Sequence, residues 1–260
     1  MMRGLYAAAA GMLSSFARQE TINNNLANLS TPGFKRDLTP VRAGRELGEV
    51  RDLGVAFNVP YQTRPVRTLV GTVGTGALND PVATDFSDGD LRATGSELDL
   101  AIVGQGFFEM QSPDGGRFYT RAGQFARDAG GRLVDPAGNF LLGDDGPIEV
   151  RQGAVSVDPD GTVFSDGEEV AIMRVMTFPT DTPMLKFGQN GFKPTDPSLQ
   201  PAFASELTRV QQGALEGSNV NPTQAVVEMM SAMRSYEAAQ RMVQLNDSIL
   251  ERAVNDIGRV

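Results

Sequence analysis

The chain has 260 residues, with 23 Lys+Arg against 32 Asp+Glu for a formal net charge of −9, and it has no histidine, cysteine or tryptophan. Those absences remove histidine acid–base chemistry, Ser-His-Asp and Cys-His nucleophiles, thiolate zinc sites and disulfides. The length admits one or two domains, and no apolar run reaches the roughly 18 residues needed to span a bilayer.

The charge is uneven: residues 1–70 are net +4 and residues 71–260 net −13. The basic residues of the front end are scattered, with only Lys35 and Arg36 adjacent. Its aromatics, Tyr6, Phe16, Phe34, Phe57 and Tyr61, do not interleave with them as stacking platforms would. A nucleic-acid partner is not expected, and neither is membrane insertion.

The first element is a helix. Leu5, Ala9, Met12, Phe16, Gln19, Asn23 and Leu26 recur at alternating three- and four-residue steps, which is a helical seam. An amphipathic helix over residues 3–28 explains more residues than a cleaved leader, because the apolar start is mostly alanine and lacks a cleavage boundary. Ala7–Ala10 would admit a close neighbour. Ser30-Thr31-Pro32-Gly33 ends the helix, since proline cannot continue it.

From residue 72 onward the texture is that of a β domain. Turn signals recur at Asp88-Gly89, Asp114-Gly115, Asp128–Gly131, Asp145-Gly146, Asp158–Gly161 and Asp166-Gly167. Short β-type runs lie between them: 98–103, 106–110, 117–120, 131–134, 139–142, 148–150, 155–157, 162–164 and 170–178. Such spacing predicts an antiparallel β-rich domain. Asp158-Pro159-Asp160-Gly161 resembles the opening of a calcium loop, but its glycine is at the wrong offset and no glutamate closes it, so a hairpin turn is expected. Gly104-Gln105-Gly106 and Gly71–Gly76 lack the lysine and strand–turn–helix context of a phosphate loop. No cofactor and no metal is expected.

The last element is a long helix. Asn221 is its N-cap, Pro222 its first residue, and Gln224 stands in capping-box position. Val226, Met229, Met233, Tyr236, Gln240, Val243, Asp247, Leu250, Val254 and Ile257 then step 3, 4, 3, 4, and eight of these ten are apolar, a coiled-coil pattern. A helix of about 35 residues is roughly 50 Å long and needs packing partners in water. Two outcomes remain open on spacing alone. One is a self-contained two-helix stalk with the methionines as core filler; the other is self-assembly through both ends.

Asn24-Asn25-Leu26-Ala27-Asn28-Leu29-Ser30-Thr31-Pro32-Gly33-Phe34-Lys35-Arg36 resembles the N-terminal signature of the bacterial flagellar rod and hook axial proteins. Three further stretches are similar to the same family. They are Asp85–Leu91 with Leu98–Phe108, then Tyr119–Phe125, and lastly Leu215–Pro222 running on to Met233–Glu237. Chain length and the Leu98–Phe108 block point to the rod proteins rather than the longer hook protein.

The resemblance implies an α+β fold with long N- and C-terminal helices packed as a coiled-coil-like inner domain and a central antiparallel β-rich domain. It divides the chain into residues 1–36 with 215–260 as the terminal assembly domain, 37–80 as an extended connector, and 81–214 as the outer domain. It implies a structural, non-enzymatic subunit of the basal-body rod. Such a subunit polymerises into a hollow axial tube that encloses the export channel and transmits torque to the hook.

The implied partners are other copies of the chain, other rod and hook proteins, and the flagellar type III export apparatus, with delivery outside the cytoplasm and no cleaved signal. Subunit-packing residues are then expected at Leu5, Met12, Phe16, Asn24, Asn25, Leu26, Asn28, Pro32, Gly33 and Phe34. On the second helix they are expected at Asn221, Pro222, Val226, Met229, Met233, Tyr236, Val243, Leu250 and Val254. The rival readings are a wall hydrolase built on Asp144-Asp145 or Glu168-Glu169, and a β-rich surface-binding module with coiled-coil ends. A glycosidase needs two carboxyls converging across a cleft, and neither pair is isolated in that way.

Overall fold

In a computed structural model the described residues are 2–43, 77–179, 182–188, 190–196, 198–199, 201–204 and 207–257. They hold two long helices, α1 (Met2–Ala27) and α2 (Pro222–Ile257), with a β-rich region between them in sequence. The described residues divide into two compact units. One falls within Met1–Asn24, Asp37–Ala83 and Pro222–Val260; the other is Asn25–Arg36 with Thr84–Asn221. The expected connector lies largely at residues 44–76, outside the described residues, as do Gly71–Gly76.

In the helical unit, α1 and α2 run antiparallel. A Cβ on Gly11 would stand 3.9 Å from the Ala239 Cβ, and one on Gly4 would stand 3.6 Å from the Asn246 Oδ1. Ala225 and Ala232 are buried on α2, and Ser14 and Ile22 on α1. The inward edge of α2 thus runs through Ala225, Ala232, Ala239 and Asn246, one residue before the expected Val226, Met233, Gln240 and Asp247. Small residues explain the offset, because Gly and Ala let two backbones approach more closely than Val or Met would. The same unit pairs Val41–Ala43 antiparallel with Ala77–Asn79. Two hydroxyl contacts tie this pair region to α1: Ser14 Oγ donates to Asn79 Oδ1 at 2.6 Å, and the Thr21 and Thr39 hydroxyls lie 2.6 Å apart.

The β unit is built on antiparallel pairings. Phe107–Gln111 lies between Arg117–Thr120 and Phe140–Gly143, with Phe108 opposite Thr120 and Leu141 opposite Met110. Both faces of Phe107–Gln111 are covered, so Phe107, Phe108 and Met110 are all buried, and so is Glu109, which is ion-paired with Arg174. Phe108 and Met110 enter one cluster with Leu100, Leu141 and Val163. Phe107 enters another with Tyr119, Met176 and Phe192.

The turns expected from Asp-Gly signals form with a repeated local pattern. Asp128 Oδ1 accepts from the Gly130 and Arg132 amides, and Asp135 Oδ1 accepts from those of Ala137 and Asn139. Asp158–Gly161 is a turn closing the antiparallel pair Val155–Val157 and Thr162–Ser165. The expected run 170–178 is two strands, Glu168–Ile172 and Val175–Thr177. The chain breaks there where the Met173 amide turns to the Gly161 carbonyl.

Candidate functional site

The segment that follows α1 is anchored in the β unit, and the residues that anchor it come from distant parts of the chain. Past α1 the backbone tightens through Asn28 N to Asn25 O and Thr31 N to Asn28 O, with Thr31 Oγ1 donating to Asn28 Oδ1 at 3.2 Å. Gly33 then takes φ +68°, and its amide donates to Glu216 O at 2.8 Å. A Cβ at Gly33 would lie 2.3 Å from the Ala122 nitrogen, so the position has no room for a side chain. Phe34 is 3% exposed, with Lys186 Nζ 4.3 Å from its ring centroid. The Pro32 carbonyl accepts from Asn190 Nδ2 at 3.1 Å.

Lys35 is 1% exposed. Its Nζ donates to Glu216 Oε1 at 2.6 Å and to the Ser87 carbonyl at 2.7 Å. Glu216 is equally enclosed: Oε1 also accepts from the Gly89 amide at 2.9 Å, and Oε2 accepts from Arg121 at 3.2 Å. Arg121 donates onward to the Gly104 carbonyl at 2.8 Å and lies 5.5 Å from the Phe107 centroid. Burial pushes the Lys35 ammonium below the ordinary lysine value, while the neighbouring Glu216 carboxylate pulls the other way.

Beside this cluster, Arg36 Nε donates to Asp85 Oδ2 at 2.8 Å, and the Arg36 amide donates to Asn219 Oδ1 at 2.8 Å. Partial burial acts to raise the Asp85 carboxyl, but hydrogen bonds from Ser87 and the Arg36 charge outweigh it and hold the group below the ordinary aspartate value.

Such an arrangement positions backbone; it does no covalent chemistry. Its charges compensate one another and most of its donors meet acceptors, Arg121 Nε being buried without a hydrogen-bond partner. The carboxylate pairs of the hydrolase reading lie elsewhere and are exposed, Asp144-Asp145 in a turn and Glu168 in an exposed ion pair with Arg151. Among the described residues no group of three or more acidic side chains is gathered to hold a metal ion.

The expected packing residues fall into distinct environments. Asn25, Gly33 and Phe34 are buried; Leu26, Asn28 and Pro32 are half-buried; Asn24 is exposed. Along α1, Leu5 and Met12 are half-buried and Phe16 is 50% exposed. On α2, Met229, Tyr236 and Val243 are half-buried, whereas Asn221, Pro222, Val226, Met233, Leu250 and Val254 are exposed. The structure brings Pro32, Gly33 and Phe34 together with residues that were not singled out as sites, namely Lys35, Asp85, Arg121, Glu216 and Asn219. A signal for these was present: each lies inside one of the four family-like stretches, and a lysine directly after a turn-and-anchor Gly-Phe faces a destination fixed by that anchor.

Family models match the chain in three consecutive parts. Residues 5–35 match the flagella basal body rod protein, residues 101–191 the flagellar hook protein FlgE/F/G D1 domain, and residues 211–256 the flagellar basal body rod FlgEFG protein C-terminal region. The chain is similar to the flagellar basal-body rod protein FlgF of Caulobacter vibrioides, 31% identical with all of both chains covered. It is also similar to FlgG of Borreliella burgdorferi, 31% identical over 98% of each chain. FlgG of Bacillus subtilis is 30% identical over 98% of this chain and 99% of its own. The chain therefore belongs to the flagellar basal-body rod protein family and is a structural, non-enzymatic subunit of that rod.

Proposed function

We infer that the chain self-assembles through its terminal helices into a hollow axial tube, and that the tube encloses the export channel and passes torque to the hook. The observation that carries this reading is the apolar surface left on the helical unit. Facing α1 with its alanine edge, α2 keeps Val226 (47% exposed), Met233 (49%) and Val254 (69%) in solvent, with Met230, Met242, Leu245 and Ile249 also exposed. On α1, Tyr6, Leu13 and Phe16 are exposed likewise. A lone soluble subunit gains nothing from two such stripes, whereas neighbouring subunits packed as a coiled-coil-like inner layer would cover them.

The terminal segments 1–36 and 215–260 then form the assembly domain, residues 37–80 the connector, and 81–214 the outer domain. The packing residues are those of the two expected helix seams, Leu5, Met12 and Phe16 on α1 and Val226 to Val254 on α2, whereas Gly33 and Phe34 are buried in the chain's own β unit. The partners are further copies, other rod and hook proteins at the ends of the tube, and the flagellar type III export apparatus. Export leaves the subunit outside the cytoplasm without signal cleavage. No helix of the described residues is long and apolar enough to cross a membrane.

Met233→Asp tests the reading. It places a charge in the exposed stripe, so purified variant chains should fail to polymerise and cells carrying them should be non-motile, while the β unit melts as in the wild type. Normal rods from this variant would overturn the proposed packing.

A further inference from the structure

We propose that Glu216 is a completion latch: the segment that follows α1 docks on the β unit only after the strand carrying Glu216 has closed. The cluster joins three places far apart in sequence. Lys35 and Glu216 are 181 residues apart, and Arg121 and Glu216 are 95 apart. Both cations bind the same carboxylate, at 2.6 and 3.2 Å, and all three side chains are at most 4% exposed. Without Glu216, docking would bury two like charges side by side with only one exposed carboxylate nearby, Asp88, 3.5 Å from Arg121. Isolated buried charges of that kind are strongly disfavoured.

Backbone contacts impose the same order. Glu216 lies in strand Ala214–Glu216, paired with Leu91–Ala93. Gly33 donates to the Glu216 carbonyl, and the Asn219 amide donates to the Phe34 carbonyl. The docked segment therefore rests on a strand drawn from near the far end of the chain. Any chain that emerges N-terminus first holds its signature undocked until residue 216 is available. Gly89 reinforces the order: its amide reaches Glu216, and its missing Cβ would fall 2.1 Å from the Gly217 carbonyl oxygen. An incomplete or truncated chain thus keeps residues 25–36 undocked, and they dock when the strand Ala214–Glu216 arrives.

The chain has three lysines, Lys35, Lys186 and Lys193, which makes amine acylation read by peptide mass spectrometry a direct probe. Lys35 reports docking. Lys193, which sits 3.4 Å from the Phe187 ring centroid, reports the β unit. In the full-length wild-type chain Lys35 should acylate far more slowly than Lys193. Glu216→Gln should speed Lys35 by more than about a hundredfold with Lys193 unchanged. Lys35→Met/Glu216→Gln, which removes one of the two stranded cations, should restore slow amide exchange at Phe34. During refolding from urea, pulsed acylation should find Lys193 protected before Lys35.

A slow Lys35 in Glu216→Gln overturns the latch, as does simultaneous protection of Lys35 and Lys193 on refolding. Should Glu216→Gln unfold the β unit, so that Lys193 also speeds up, and the double variant fail to recover, the cluster serves β folding and the latch is refuted.

Discussion

Gly33→Ala is the sharpest single perturbation of the junction. The native φ of +68° lies in the left-handed region, where an L side chain costs about 1–2 kcal/mol. The new methyl would stand 2.3 Å from Ala122 N, 2.5 Å from Arg121 C and 2.6 Å from Ala122 Cα. These are backbone atoms and cannot rotate away, so about 1–3 kcal/mol of overpacking is added. The sum of about 2–5 kcal/mol corresponds to opening that is roughly 30-fold to several-thousand-fold more frequent.

Amide exchange on the full-length protein reads it at Phe34, whose amide donates to Thr31, and at Asn219, whose amide donates to Phe34. Gly95→Ala is the control: φ is +75° but a Cβ there meets nothing within 4 Å, so only the conformational cost of about 1–2 kcal/mol applies. Equal effects from the two variants, or unchanged exchange at Phe34 in Gly33→Ala, would refute the close-approach reasoning.

Phe34→Ala should weaken docking by about 3–5 kcal/mol, seen as earlier proteolytic cleavage between residues 28 and 36 with the β unit intact. Leu141→Ala, at a fully buried position of the main cluster, should lower whole-unit stability by about 2–5 kcal/mol in a urea titration. The Asp85 carboxyl is depressed in the folded chain. Its contribution is therefore complete above the ordinary aspartate value of about 3.9 and is lost as pH falls through the lower folded value. Asp85→Asn should flatten that acid limb in pH-dependent urea melts.

Elements with a strong period were legible before the structure. Α-helical seams placed both helices, and Asn221-Pro222 marked the first residue of α2. Turn chemistry at Asp128 and Asp158 placed hairpins, because an aspartate can hold its own loop through nearby amides. The edge that α2 turns to α1 was not legible, since a pattern of large apolar residues points at whatever surface most needs covering. The intrachain contact instead uses Ala225, Ala232 and Ala239, which carry little hydrophobic signal.

Strands Leu91–Ala93, Arg209–Gln212 and Ala214–Glu216 were not expected. They are only three or four residues long, each carries a charged residue, and they are held by partners distant in sequence, such as Gln211 opposite Ala101. The junction was half legible. The turn at Pro32-Gly33 and the anchor at Phe34 follow from local chemistry, but Glu216 meets Lys35 only through a fold that no local pattern encodes.

The central question is what covers the exposed apolar stripes of the two helices. A density map of the assembled rod that resolves residues 2–27 and 222–257 tests it most directly. Phe16, Val226, Met233 and Val254 are predicted to be buried against neighbouring subunits around a central channel. Rods in which these four side chains still face solvent, with subunits joined through their β units alone, would contradict assembly through the terminal helices.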